Sequence, residues 1–482
     1  AGVIELPLPA ATLVDNSDGK QTADLERYEG MLVRIPQPMF VQDLTGLERF
    51  GEILLSLTER QYQFTSTHQP DPAAYREHRA QVAARTLMLD DGRAEQNVKP
   101  RRYLGGSGLP QRAPRLGDAL GNLQGVLRYS RGSGPHGAET WRLMPTVPPT
   151  FEPRNPRPAK PDLQGDVIVA SINLLNYFST PDDGTDRCGP AGADGCRGAD
   201  SVAELERQRL RTATAINLSG ADVVGVMELE NNPQTAVEDL QTALAAQGAD
   251  WQYVDTGVIG DDAIRVAILY RPARVSTVGD FAILDSRKDP RFNDRRNRPA
   301  LAQTFRSVAS GGVFTLAVNH LKSKGSPCDA DGDPNRGDGQ GNCNVTRTRA
   351  AQALADWLAD DPTGSGDSDK LIIGDLNAYL NEDPLRALEA AGYDNLVRDR
   401  LGDRAWSFAY DGESGVLDHA LSSPSLTAQV TAIHEWHINA DEAPLYDYNL
   451  DFDRDPALFV GDQPWRAADH DPLLIALKLQ GD

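Results

Sequence analysis

The chain has 482 residues, 70 of them acidic and 48 basic, giving a formal net charge of −22. Apolar residues make up 40% and charged residues 24%, a globular composition that excludes a wholly disordered chain. No apolar run approaches the roughly 18 residues of a spanning helix, and no membrane partner is expected. The average charge also argues against a nucleic-acid partner, because DNA binding relies on Lys and Arg to neutralise phosphates. That average hides an asymmetry. Residues 1–160 hold 20 basic and 18 acidic residues, and residues 161–482 hold 28 and 52. A near-neutral front thus precedes a strongly acidic back, with a boundary near residue 160. Lysine supplies only 8 of the 48 basic residues, which fits salt adaptation and a GC-rich genome equally well.

Taken in chain order, residues 28–57 alternate like strands: G-M-L-V-R-I-P, M-F-V-Q-D-L and F-G-E-I-L-L-S-L. Residues 65–115 are polar and read as a long excursion. Strand signals return at 123–130 and 141–146. Short strands without long helices predict a small all-β barrel or sandwich over residues 1–147. Six prolines between 148 and 161 predict an extended, semi-rigid linker over 148–164. From 165 to 482 the pattern is α/β. Buried strands are expected at 166–178, 221–227, 266–270, 313–321, 371–377, 416–421 and 472–479. Ser201 and Glu204 form a capping box that opens a helix to about Leu218. Further helices are expected at 346–359 and 383–392.

Polar groups interrupt these strands in a patterned way. Asn173 lies inside one. Glu228, His320, Asp375 and Asn377 each end one. Asp418 and His419 lie in G-V-L-D-H-A-L, and Asp469, His470 and Asp471 open the last. A buried carboxylate is unfavourable unless it is paired or bound to a cation. Six strand segments sharing this feature point to one convergent site. Oxygen donors from Asn, Glu and Asp suit Mg²⁺, Mn²⁺ or Ca²⁺ better than zinc.

The ordered set I-N-L-L-N-Y-F, V-M-E-L-E-N, V-N-H-L-K-S-K, I-G-D-L-N, L-D-H-A and A-D-H-D-P resembles the endonuclease/exonuclease/phosphatase superfamily over roughly 165–482. R-N-R-P, G-D-G-Q-G, R-T-R-A-A-Q and E-W-H-I-N-A-D-E extend the resemblance to secreted bacterial extracellular nucleases. The last motif departs from the usual S-D-H-D by one residue, Ala468. The resemblance implies a four-layer α/β sandwich, two packed mixed sheets flanked by helices, preceded by a small OB-like β-barrel. It also implies metal-dependent hydrolysis of DNA, or of RNA. Asn173, Glu228 and Asp469 would hold Mg²⁺ or Mn²⁺. Asp375 would orient or deprotonate the attacking water, and Asn377 would contact the phosphate. His320 and His470 would bracket the scissile group, with Asp418 holding one imidazole, His470 by preference. Arg298, Lys322 and Lys324 would bind phosphate. Two other readings stand beside this one: a phosphatase or phosphodiesterase acting on nucleotides or lipids, and a catalytically silent nucleic-acid-binding matrix protein.

Arg287, Lys288, Arg291, Arg295, Arg296 and Arg298 form the densest basic run of the acidic half. It reads either as a backbone-contact ridge or as a loop of internal salt bridges. His68, His78 and His136 lie among polar neighbours and are expected on the surface. His434 and His437 read as packing or hydrogen-bonding residues rather than zinc ligands, and Trp357 as core.

The four cysteines fall into two local pairs in loop-like stretches, without C-x₂₋₄-C metal spacing. Two disulfides, Cys188–Cys196 and Cys328–Cys343, are favoured over four free thiols, and they imply an oxidising compartment. The expected location is therefore extracellular or periplasmic. Ala1 opens without a charged-then-apolar leader, as in a chain never exported or one whose signal peptide has been cut away. No obligate protein partner is evident, and a monomer is expected. Asp329, Asp331, Asp333 and Asp338, with Asn335, resemble the start of a calcium loop. Gly332 at relative position 4 and Gln340 at position 12 rule out an EF-hand. The alternative is an exposed acidic loop clipped by Cys328–Cys343.

Overall fold

The computed structural model describes residues 2–99, 103, 113–132 and 139–481. Apolar runs from 165 onward build two six-stranded sheets. The first runs, in spatial order, Gln252–Tyr253, Ile264–Tyr270, Val223–Glu230, Val167–Tyr177, Leu473–Leu477 and Val430–Glu435. The second runs Val275–Leu284, Arg298–Ser307, Val313–His320, Lys370–Asp375, Asp418–Ser422 and Asp394–Asn395. Both are mixed. Val167–Tyr177 and Val223–Glu230 are parallel, as are Val313–His320 and Lys370–Asp375, while their outer neighbours are antiparallel.

One apolar cluster joins the sheets, with Val169, Val223 and Ile475 from the first and Leu316, Val318 and Ile373 from the second, all fully buried. Burying each such side chain contributes about 1.5–3 kcal/mol. Gly225 permits the contact. A Cβ there would come within 2.6 Å of Val318 and 2.7 Å of Ile373, so only a glycine lets the two sheets approach this closely. On the other faces, helices Val202–Ser219 and Thr235–Ala246 pack against the first sheet through Ala213, Ile216, Leu240 and Leu244. Helices Asn344–Ala359 and Asp383–Ala390 pack against the second through Leu354, Leu385 and Leu388. Ser201 caps the first helix by accepting from the Glu204 amide, and Gly220 ends it at φ +76°. Trp357 is core, as expected.

The front segment is a nine-stranded sheet with Ile4–Glu5 at one end and Thr150–Glu152 at the other. Its strand order is open-ended among the described residues. Among its described residues, the stretch expected to be a polar excursion holds a 14-residue helix and a strand. Helix Pro72–Arg85 starts where the Asp71 carboxylate accepts from the Ala73 and Ala74 amides. Strand Thr86–Asp90 follows, with Leu87 and Leu89 buried in the middle of the sheet. Only Val82 of the helix is buried, so its sequence carries no apolar stripe. The proline-rich stretch is extended and docked. The Arg154 and Asn155 amides donate to Asp118, and Arg157 pairs with Glu442 at 2.8 Å. The front core also takes in Ala443, Leu445, Tyr446 and Leu458 from the acidic half.

Cys188–Cys196 and Cys328–Cys343 are both bonded, closing spans of 8 and 15 residues. No helix is long and apolar enough to cross a membrane among the described residues.

Candidate active site

The strand register gathers the polar residues. In the second sheet Arg298 pairs with His320, His320 with Asp375, and Asp375 with Asp418. Four adjacent strands therefore carry four candidate residues on one rung, where two strands end and two begin. Gly374 makes the rung possible. It sits at φ +132°, and a Cβ there would stand 1.9 Å from the Asn319 carbonyl oxygen. The glycine lets the Asp375 strand close on the His320 strand and brings Asp375 Oδ2 to 3.7 Å from His320 Nε2.

The first sheet supplies the other side. Glu228 Oε1 lies 3.9 Å from His320 Nε2 and accepts from the Asn173 amide at 3.2 Å. Its Oε2 accepts from the Asn176 backbone at 3.0 Å. Irregular backbone aims these groups. Leu175, Asn176 and Glu228 hold φ of +52°, +55° and +63°, beside register shifts in both strands. Asn377 holds φ +48°, with its amide donating to the Leu321 carbonyl. Non-glycine residues in this region are strained, and such strain clusters at functional sites.

His470 and Asp418 form a buried pair, with Nδ1 and Oδ2 2.7 Å apart. Asp418 also accepts from the Ser407 hydroxyl at 2.6 Å, and Phe408 stacks on the His470 ring at 4.5 Å. Burial pulls the His470 pKa down, but the charge and hydrogen bond of Asp418 outweigh it and hold the imidazole well above its ordinary value. His320 is held well below, by burial first and then by Arg298 and His470. Environments that push two like groups apart in this way separate an acid from a base. Burial is the largest influence on Asp375 and pushes it up to about 7. His419, next to Asp418, is a core residue bonded to the Ala378 carbonyl.

Glu228 is also raised, by burial first and then by the charge of Asp469. The Asp469 charge acting on Glu228, beside an amide oxygen, makes a donor set that a hard divalent cation would relieve. Among the described residues, no group of three or more His, Cys, Asp and Glu side chains is arranged to hold a metal. The set here is one amide and two carboxylates.

The cations divide into two groups. Arg298 lies 3.3 Å from Asp262, and its charge is felt by both Glu228 and His320. Lys322 is buried, bonded to Ser323 and Ser326, and lowered to about 8 by burial and then by Arg298. Lys324 is already paired. Its ammonium is matched by Glu382 and the Gln340 carbonyl, so it is not an unpaired cation facing the rung. The basic run is largely self-paired. Arg287 pairs with Asp285, Arg291 with Asp289 and Asp356, and Arg296 with Asp331. The acidic loop uses its carboxylates locally. Asp331 takes Arg296, Asp333 caps helix Asn344–Ala359 through the Thr346 amide at 2.7 Å, and Asp338 accepts from Gln340. Asp329 opens a short 3₁₀ turn.

Sequence reasoning missed Arg197, Ser407, Phe408 and Asp262. Arg197 follows Cys196 directly, lies 3.6 Å from Asp262, and adds positive charge at His320. Its place beside a disulfide was the one available signal. His437 is a hydrogen-bonding residue as expected, 2.9 Å from Asp471. His68 is exposed. His78 is not, because it packs on Phe64 and pairs with Glu413. His136 lies outside the described residues.

The profile of the Endonuclease/Exonuclease/phosphatase family matches residues 171–462. An endonuclease/exonuclease/phosphatase family protein from Bacteroides thetaiotaomicron is 17% identical over 64% of this chain and 93% of its own, with a TM-score of 0.40. A mannosyl-6-phosphatase from the same organism is 16% identical over 64% and 99%, also at 0.40. An AP endonuclease from Archaeoglobus fulgidus is 12% identical over 64% and 99%, at 0.37. No curated protein gives a significant match.

Proposed function

The chain belongs to the endonuclease/exonuclease/phosphatase family, and from that premise we propose that it is a secreted, metal-dependent nuclease that hydrolyses phosphodiester bonds of extracellular DNA. The observation that carries this reading is the rung Arg298–His320–Asp375–Asp418 set against Glu228 and the His470–Asp418 pair. Cation, imidazole and carboxylate groups converge there, as hydrolysis of an anionic ester requires. In this reading residues 165–482 are a four-layer catalytic domain, 1–147 an accessory β-rich domain and 148–164 the linker. The two disulfides support export, because such bonds persist in oxidising compartments.

A phosphodiester is a poor electrophile because its anionic oxygens repel the nucleophile. Asn173, Glu228 and Asp469 would hold Mg²⁺ or Mn²⁺ through oxygen alone. When bound, the ion would supply Lewis acidity to the phosphate. Arg298 and Lys322 bind the remaining phosphate charge, and Asn377 contacts the phosphate. Asp375 orients the attacking water and takes its proton. His470, its Nδ1 held by Asp418, presents the other ring nitrogen to protonate the leaving oxygen. His320 Nε2, between Glu228 and Asp375, bonds the phosphoryl group. Acid–base assistance of this kind contributes about 10²–10⁴-fold.

A time course on circular plasmid, linear DNA, RNA, a nucleotide monoester and a phospholipid, with Mg²⁺, Mn²⁺ or chelator, tests the assignment. Metal-dependent loss of plasmid supports it. An intact plasmid beside hydrolysed monoester or phospholipid moves the chain to the phosphatase or lipid branch. No turnover on any substrate leaves the silent binding protein.

A further inference from the structure

The front segment grips one hairpin of the acidic half, and that hairpin leads into the His470–Asp418 pair. The hairpin is Phe408–Tyr410 with Glu413–Gly415. Front residues 61–63 add to it as a short parallel neighbour. The Ser414 amide donates to the Gln61 carbonyl at 2.8 Å, and the Gln63 amide donates to the Ser414 carbonyl at 2.9 Å. His78 and Arg79 pair with Glu413, which is buried.

Arg60 is the most connected member of this grip. Its guanidinium pairs with the fully buried Asp441 at 2.8 and 3.1 Å and bonds the Ser414 hydroxyl at 2.9 Å. It lies 4.0 Å over the Trp406 ring. Trp406 is also stacked with His437, with ring centroids 4.1 Å apart and planes 5° apart. The two residues after Trp406 touch the catalytic pair. Ser407 donates to Asp418 Oδ2, the same oxygen that His470 Nδ1 meets, and Phe408 stacks on the His470 ring. The Ser407 carbonyl accepts from the Asp471 amide, next to His470.

We propose that Arg60 is a positioning residue for the His470–Asp418 pair, acting from the N-terminal segment through Trp406 and Ser407. This inference rests on the nuclease reading above. The stack fixes Trp406 in plane, and the adjoining backbone then sets where the Ser407 hydroxyl and the Phe408 ring stand. A carboxylate that accepts from both a hydroxyl and an imidazole has few orientations left. Small misplacements at a reacting centre lower turnover more than binding. The front segment thus completes the active site rather than only preceding it.

The test uses the full chain and plasmid DNA with Mg²⁺. Assayed where the variant is folded, Arg60→Ala lowers kcat about tenfold or more and leaves KM within about twofold, while its melting temperature falls because buried Asp441 loses its partner. Arg60→Lys, which keeps the charge but loses the fork, recovers part of the loss. Ser407→Ala shows the same split. The double variant Arg60→Ala/Ser407→Ala falls no further than the lower single variant by more than about twofold, because both act through one path. Arg34→Ala, at an exposed front pair with Glu5, leaves kcat unchanged. If Arg60→Ala does not fold, Arg60→Gln takes its place with the same expectations. Full kcat in the Arg60 variant, or losses that multiply in the double variant, overturns the inference alone. A parent chain that does not cleave DNA overturns the nuclease reading and this inference with it.

Discussion

The Asp418 carboxylate accepts from Ser407 and meets the His470 imidazole at 2.6 and 2.7 Å through a single oxygen, Oδ2. The other oxygen, Oδ1, is buried without a protein partner. An amide in place of the carboxylate keeps the shape but removes the charge that raises His470. Asp418→Asn is therefore expected to lower kcat by about 10²–10⁴-fold while circular dichroism and melting stay near the parent. Unchanged turnover would remove His470 from the proton-transfer role.

Glu228 tests the cation donor set. Glu228→Gln keeps an acceptor but relieves the repulsion with Asp469. The Mg²⁺ concentration giving half-maximal activity should rise at least about tenfold. A second readout needs no turnover. Mg²⁺ at 100 times its dissociation constant stabilises the folded parent by about 2.7 kcal/mol, and the variant should show a smaller rise in melting temperature. Equal rises would place the cation elsewhere.

Glu435 gives a pH test of stability. Its carboxyl is pushed up to about 8, chiefly by burial. Oε2 accepts from the Trp406 amide at 3.2 Å, while Oε1 is buried without a partner. The folded pKa lies above the ordinary value of 4.5, so the folded chain keeps a proton that the unfolded chain releases. This contribution is complete below pH 4.5 and is lost as pH rises through about 8. Melting temperature should fall across that window in the parent and fall less steeply in Glu435→Gln. Parallel slopes would contradict the burial argument.

Disulfide Cys328–Cys343 closes a 15-residue span and holds the start of helix Asn344–Ala359. Replacing both cysteines by serine should cost about 3 kcal/mol, read as a lower midpoint in urea with an unchanged slope. No shift would mean that helix packing alone holds this loop.

The strand cores were legible because they are buried on both faces, so their sequences run apolar without interruption. The polar residues were legible for the same reason, as interruptions in those runs. What stayed hidden depends on pairing. Nothing local in the chain tells that Arg298 stands beside His320, or Asp418 beside Asp375. Strand Val275–Leu284 is largely exposed at a sheet edge, and helix Pro72–Arg85 buries one residue, so neither carries a clean period. Lys324 pairs with Glu382, 58 residues away, a partner that nothing local in the chain announces. Arg60 meets Asp441 across 381 residues, a contact that only the folded chain declares. The charge of −22 also reads differently with the contacts known. Arg287, Arg291 and Arg296 are paired with carboxylates, and Arg298 and Arg197, both near Asp262, add positive charge at His320 together with Lys322.

Hydrolysis of phosphodiesters at the strand-end rung, with the help of a divalent cation, is the proposed activity. Its most direct test is a plasmid cleavage rate measured in Mg²⁺, with and without chelator, for the parent and for His320→Ala at matched melting temperatures. The parent should cleave, chelator should abolish cleavage, and the variant should lose at least about 10²-fold. A parent that leaves the plasmid intact in both Mg²⁺ and Mn²⁺, or a variant that cleaves at the parent's rate, would contradict it.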